Sequence, residues 1–576
     1  MEKISILFPN KEGIIYKQVS EVTCHDLGLE TICQKVSKKE NEQRMIMNVL
    51  AKTTDDPYVA EFRSEVFEDI VKYPQMRDRM MELLDKVSFL KDYGSFKRDY
   101  DKKAGIWDLL HRMSEINDYI NCVEAISECL ADKNINSEGL KNLKKYVDDI
   151  YKDAHFGEMK SDIEALKADT SNLKSITVGI NLNERFETES IGLISVNNKE
   201  FKKSGIVNNF ADALAGKNTI REGNEWNGEM NFHPVDQSML DSTALDRFAA
   251  FEMMQNPAYA VAGAATIVKT PEADAGAGVS HYMDKIVSQL LGNMVKKLRD
   301  VLSKYVMITI NTITDLIPEF IYYIRFAEYL EPLMNKGYKF CAARAVSEGK
   351  LMEARGLYNL MLLAAHDDGN LKIVDNDLDF DKEHLVYLLT GANRGGKTTI
   401  TQAVGLMFIL AQGGIFVPAE EFIYQPVDCI YTHYPADEDK TMDLGRLGEE
   451  CSRFKDIYTK STDKSLLLLN ETFSTTSFEE GYYIARDSVR AILNKGVRTI
   501  YNTHMHKLAR DIEEINAEFD SVKAASLVVK SNGKERSFKV EVMPCEGQSY
   551  ADDIARKYGV TYEDLICYHA DNEEKA

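Results

Sequence analysis

The chain has 576 residues, of which 44% are hydrophobic and 28% charged, a balance typical of soluble globular proteins that excludes a collagen-like or wholly disordered chain. That length exceeds one ordinary core and points to about two to four domains. A formal charge of −22 excludes a surface coated for nucleic-acid binding, although a local basic groove remains compatible with it.

The opening stretch MEKISILFPNKEG has no apolar run long enough for a signal peptide. Elsewhere no segment reaches the roughly 18 uninterrupted apolar residues of a membrane span, so no membrane role is expected. The nine cysteines are scattered and never form a CxxC pair. A disulfide framework or structural zinc site is therefore not expected, and a reducing cytoplasm is.

In chain order, residues 1–208 read as a mostly helical region with a short β passage. Within it, EFRSEVFEDIVKYPQMRDRMMELLDKVSFL (61–90) spaces its apolar residues by three and four, which gives one apolar face. The passage SITVGINLNERFETESIGLISV (175–196) approximates the alternation of strands. Residues 209–280 are rich in Gly, Ala, Asn and Pro and hold four basic against ten acidic residues, so they read as a loop-rich acidic insertion.

Residues 281–349 hold two helices. Met283, Ile286, Val287, Leu290, Leu291, Met294, Leu298, Val301, Leu302 and Tyr305 keep a three/four spacing, and a second apolar helix covers roughly Asp315–Leu333. Both read as core helices, with a coiled-coil arm as the sharper alternative. From residue 350 to 576 short buried strands alternate with helices, the pattern of an α/β domain. LVYLLT (385–390), SLLLLN (465–470) and VRTIYNT (497–503) are the clearest strands, and Asn532–Gly533 between two alternating runs marks a β-hairpin.

Three elements carry chemistry. GANRGGKTT, Gly391–Thr399, fits the phosphate-loop pattern G-x-x-x-x-G-K-[ST] between a strand and a helix. Gly391, Asn393, Gly395, Gly396 and Thr399 would wrap backbone N–H groups around phosphate oxygens at a positive helix end. Lys397 would reach the terminal phosphates of ATP, and Thr398 would offer a hydroxyl to Mg²⁺. The second element is SLLLLNETFSTTS, whose Glu471 would orient or deprotonate an attacking water, with Asn470 beside it on the metal side. The third is Asn502-Thr503-His504, where the His504 imidazole would reach the γ-phosphate. The bland readings are a Gly-rich turn with a chance lysine, a Glu that caps a turn, and a structural histidine.

These motifs occur in a particular order. GANRGGKTT, GGIFVPAEE, QPVDCIYTHYPADED, LLLLNETFSTTSFEEG, NTHMHKLA and GQSYADDIARKYGV, preceded by VDNDLDF (374–380), resemble the ATPase domain of the MutS family of DNA mismatch repair from about residue 350 to 565. Residues 1–345 are similar to that family's helical core and lever region in order and helical character, including IRFAEYLEPL. The resemblance implies an α plus α/β architecture, in which a helical core and lever region precede an ABC-like P-loop ATPase domain with a mainly parallel sheet and a β-hairpin.

It also implies a homodimer whose ATP sites are completed in trans. Thr476 and Ser477 would face the partner's nucleotide, and the signature segment would be DLGRLGEE (443–450). That segment matches at Glu450 but has Gly445 where the family has Ser, leaving backbone N–H groups or Arg446 to stand in. Asn470 replaces the usual Asp: the oxygen acceptor remains and the charge is lost, so Mg²⁺ binding is expected to be weaker and hydrolysis slow. The family's mismatch-reading, connector and Smr domains are not expected here, and the acidic 209–280 window is a poor DNA clamp. Three readings remain: a DNA-binding ATPase of repair or recombination, nucleoid-associated, acting on mismatched, altered or branched DNA; an ATPase switch acting mainly through protein partners; or a structural ABC-like homologue with negligible turnover.

Overall fold

The computed structural model describes residues 4–81, 106–131, 134–170, 175–182, 184–186, 188–197, 267–269, 292–305, 316–349, 351–365, 373–391, 395–435, 446–532, 535–545, 558, 560 and 561. Its contacts fall into two compact units. One comprises Met1–Asp85, Glu128–Tyr146 and Thr314–Ala576, and the other Lys86–Ser127 and Val147–Ile313.

The first unit is built on a six-stranded sheet. Its strands are β1 (His384–Thr390), β2 (Ile430–His433), β3 (Leu466–Asn470), β4 (Arg498–Asn502), β5 (Lys523–Asn532) and β6 (Glu535–Val542), in spatial order β2-β3-β4-β1-β5-β6. All neighbours are parallel except the β5–β6 hairpin. Parallel strands covered on both faces need apolar side chains on both, which is why β3 reads as four consecutive leucines. Leu467 and Leu469 join the core formed with helix α3 (Phe478–Lys495), whereas Leu468 faces helix α1 (Lys397–Gln412) on the other side. There a side chain on Gly405 would bring its Cβ within 2.7 Å of Leu468 and 2.5 Å of Leu27.

Helix α3 starts at the Ser477 cap and stops at Gly496, whose φ of +73° lets its N–H return to the Ile492 and Leu493 carbonyls. A second, mixed sheet orders Arg344–Ala345, Glu421–Tyr424, Met352–Leu357 and Asn376–Phe380.

The N-terminal residues belong to this unit and grip the far end of α1. Arg63, fully buried on the Pro57–Lys72 helix, donates to the Leu7 and Gln412 carbonyls, each at 2.7 Å. Tyr322, on the Leu316–Asn335 helix, donates to the Gly413 carbonyl at 2.9 Å. Gln412 itself donates to the carbonyls of Thr54 and Val427.

In the second unit the β passage forms an antiparallel hairpin of Ser175–Leu182 and Thr188–Asn197, joined by Ile267–Lys269 as a third strand. The expected long helix is seen over Gly292–Leu302 and ends in a tight turn at Ser303–Tyr305; its first ten residues lie outside the described residues. Tyr305 donates to Asp162 at 2.7 Å. Most of the 209–280 window, and residues 82–90 of the early helical stretch, likewise lie outside the described residues. Among those described, no helix is long and apolar enough to cross a membrane.

Candidate functional site

The parallel strands β1, β3 and β4 end together at Thr390, Asn470 and Asn502, and the residues that follow them converge on one cavity. After β1, Gly391 has a φ of +142° and Gly396 a φ of +95°. A Cβ would come within 2.9 Å of Val529 at the first and within 3.3 Å of the Phe538 ring at the second, so both the conformation and the space call for glycine. Gly396 caps α1 without a side-chain bond, which leaves first-turn N–H groups directed at the cavity mouth for an anion.

Lys397 opens α1 and is buried, its Nζ donating to the Gly391 carbonyl at 3.1 Å. Burial pulls its pKa down, and the charge of Glu471 works against that fall. Thr398 donates its hydroxyl to Asn470 Oδ1 at 3.2 Å, while the Thr399 carbonyl accepts from Asn359 Nδ2 at 2.9 Å.

Beyond β3 the chain turns sharply: Glu471 has a φ of +54°, uncommon for a residue with a side chain, while its N–H is still held by the Asn502 carbonyl at 2.8 Å. That turn swings its carboxylate over the loop. His504, just past β4, donates Nε2–H to Glu471 Oε1 at 2.6 Å. This hydrogen bond holds the carboxyl below its ordinary pKa against the opposing effect of burial, with the charges of His504 and Lys397 adding to the fall.

The cavity measures about 590 Å³, within the roughly 300–1,000 Å³ of small-molecule sites. Tyr358, Val374 and Phe538 contribute apolar surface to its lining, alongside Lys397 and Glu471. Asn376 fixes that surface, donating to the Phe538 carbonyl at 3.3 Å and accepting from the Val540 N–H at 2.8 Å.

A buried histidine ties the loop after Glu471 to the helix α2 (Arg446–Lys460). His433 Nε2 meets the Glu450 carbonyl at 3.2 Å and Nδ1 meets the Thr472 hydroxyl at 3.1 Å. Burial, with the Arg453 charge, drops its pKa to about 4, so the ring is neutral. A carbonyl only accepts, so Nε2 carries the proton and Nδ1 accepts from Thr472. Burial raises the pKa of the Glu450 carboxyl, against the lowering effect of the Phe473 N–H and the Thr475 hydroxyl of its own chain.

Lys397, Thr398, Thr399, Gly395, Gly396, Glu471 and His504 thus line one cavity, with Gly391 and Asn470 bonded to its edge. Thr476 lies outside it, donating to Glu480 at 2.6 Å, and Ser477 is spent on capping α3. Asn393 and Gly445 lie outside the described residues, as does the Arg446 side chain. Sequence reading gave no role to Asn502, His433, Asn376 or Phe538. Only Asn502 carried a local signal, its place at a buried strand end.

Among the described residues no cluster of three His, Cys, Asp or Glu side chains could hold a metal. The donors on hand, the Thr398 hydroxyl and the Asn470 amide oxygen, suit Mg²⁺, which keeps its waters and is held largely by substrate phosphates. With a glycine cradle, a buried lysine and a cavity of this size, the site fits a nucleoside triphosphate with Mg²⁺.

Residues 387–569 match the family model described as MutS domain V, and residues 55–335 match that of the MutS2 N-terminal domain. A Thermotoga petrophila protein described as "DNA mismatch repair protein MutS" is 32% identical over 188 residues, 32% of this chain and 23% of that protein. One of the same description from Methanococcoides burtonii is 34% identical over 195 residues, 33% of this chain and 22% of its own length. A third, from Chlorobium phaeobacteroides, is 29% identical over 232 residues, covering 40% of this chain and 26% of its own. The matched segment therefore spans about a quarter of these curated relatives.

Proposed function

The chain belongs to the MutS family, and from that premise we propose that it is an ATP hydrolase of the ABC-like P-loop type, acting as a homodimer whose ATP cycle governs binding to mismatched, altered or branched DNA. The observation that carries the reading is the convergence of Lys397, Thr398, Glu471 and His504 on one cavity at the carboxyl ends of a parallel sheet.

In that site the backbone of Gly391–Gly396 and the Lys397 ammonium hold the phosphates, and Tyr358, Val374 and Phe538 bound the space left for the base. Mg²⁺ supplies charge neutralisation at the phosphates, and Thr398 is the side chain that holds it. Glu471, kept ionised by His504, orients the attacking water and accepts its proton. His504 is the side chain that would sense the γ-phosphate.

Gly445, Arg446, Thr476 and Ser477 face the partner's nucleotide in the dimer. Exposed Phe478, directly after Ser477 at the start of α3, supports such a seam because it offers apolar surface there. We assign residues 1–208 to the helical core, 209–280 to an acidic insertion, 281–349 to lever helices and 350–576 to the ATPase domain.

Steady-state ATP hydrolysis with Mg²⁺ tests the enzymatic reading: slow, Mg²⁺-dependent turnover is expected, and none at any Mg²⁺ concentration contradicts it. A second reading, a switch that acts mainly on protein partners, is favoured by the charge of −22, because sequence-independent DNA affinity comes from Lys and Arg on phosphates. Salt-dependent binding to duplex, mismatched and branched DNA, with and without ATP, separates the two. Failure to bind any of them at low salt leaves the second reading.

A further inference from the structure

Next to Glu471 the chain carries an amide where the family resemblance places a carboxylate, and a second amide lies against it. Parallel register sets Asn470 of β3 opposite Asn502 of β4, and both side chains are buried. Asn502 Nδ2 donates to Asn470 Oδ1. The Thr398 hydroxyl donates to the same oxygen at 3.2 Å. An amide oxygen has two lone pairs, so Asn470 Oδ1 is saturated; its other terminal atom is an NH₂, which only donates. A carboxylate in that place would keep a second oxygen free. Asn502's own Oδ1 is buried with no partner, an arrangement that weakens packing, so the bond to Asn470 is the productive contact of its side chain.

We propose that Asn502 is a positioning residue that saturates Asn470, so that Asn470 serves to orient the Thr398 hydroxyl and is closed as an acceptor toward hydrated Mg²⁺. The inference rests on the reading of the cavity as a nucleotide site. It refines the role given to Asn470, from metal neighbour to holder of the residue that meets the metal. The side chain lost is one that receives hydrogen bonds from the metal's water shell, so nucleotide binding gains little from Mg²⁺.

The test is the binding of a fluorescent ADP, N-methylanthraniloyl-ADP, to the full chain in Mg²⁺ and in EDTA, read as the ratio of the two affinities. Asn502→Ala frees one lone pair on Asn470 and is expected to raise that ratio by about 5- to 10-fold. Asn470→Asp is expected to raise it further. In the Asn470→Asp background Asn502→Ala should then change it by less than about twofold, because the carboxylate already has a spare oxygen. If Asn502→Ala fails to fold, Asn502→Val replaces it, since valine fills more of the space and has no side-chain donor.

A residue that merely packs would weaken binding in Mg²⁺ and EDTA alike and leave the ratio where it was. That result overturns the proposal, as does an Asn502→Ala effect of the same size in both backgrounds. Failure of the unmutated chain to bind the probe in either condition is a different outcome: it removes the nucleotide reading itself, and this inference with it.

Discussion

At the amino ends of the parallel strands the Arg498 guanidinium, 3% exposed, donates to the carbonyls of Leu351, Gln425, Pro426 and Lys464. Beside it Asp428 accepts from Lys17, Thr462 and Ser465. Burial pushes the Asp428 carboxyl up, but those three donors outweigh it and hold the group below its ordinary value. At the carboxyl ends, about five residues along the same strands, Glu471 sits in a left-handed conformation and Asn502 keeps an oxygen unpaired. Both ends bury polar groups. A cavity opens at each end, but the amino end pairs its polar groups in a way that stabilises the sheet, whereas the carboxyl end keeps an unpaired acceptor and a strained turn beside its cavity, the marks of a site that must still bind something.

The comparison can be broken by substitution. Glu471→Gln should lower ATP turnover by roughly 10²–10⁴-fold while nucleotide affinity changes little, as removal of a general base does; comparable turnover in the variant would move the catalytic role elsewhere. Arg498→Met should do the reverse, leaving nucleotide affinity alone and costing about 3 kcal/mol in a urea unfolding experiment, because buried carbonyls lose their donor. A loss of affinity without loss of stability would erase the distinction between the two ends.

A smaller effect concerns His433, between the two ends in character: buried and paired, yet joined to the loop that carries Glu471. Its folded pKa of about 4 lies below the ordinary histidine value, so the unfolded chain binds the proton first as pH falls. Its contribution is therefore fully present above about pH 6.5 and is lost as pH falls toward 4, amounting to about 2 kcal/mol by pH 5. Urea midpoints of His433→Gln measured from pH 7 to 5 should fall less steeply than those of the unmutated chain.

Much of the carboxyl end was legible in the sequence. Buried parallel strands are continuous apolar runs, so LVYLLT, LLLLN and RTIYN could be read directly, and the glycine loop carries its own spacing. Lys397, Thr398, Glu471 and His504 were expected as a set and do line one cavity. What stayed hidden depends on register and on distant chain. Nothing local puts Asn502 opposite Asn470, or Asn376 under Phe538. Apolar spacing shows which face of a helix is buried but not against what, so the grip of Arg63, Leu27 and Tyr322 on α1 had no sequence signal. In the Gly- and Ala-rich 209–280 window composition suggested loop, yet Ile267–Lys269 pairs as a strand with Thr188–Asn197; its β-branched Ile267 and Val268 suit a strand, but three residues are too few for alternation to show.

The claim on which the rest stands is that the carboxyl end binds a nucleotide through Lys397. An equilibrium titration of ATP against the unmutated chain and Lys397→Ala tests it most directly. Loss of a buried cation from charge-assisted bonds should weaken binding by roughly 30- to 1,000-fold. Equal affinity of the two proteins would contradict the account.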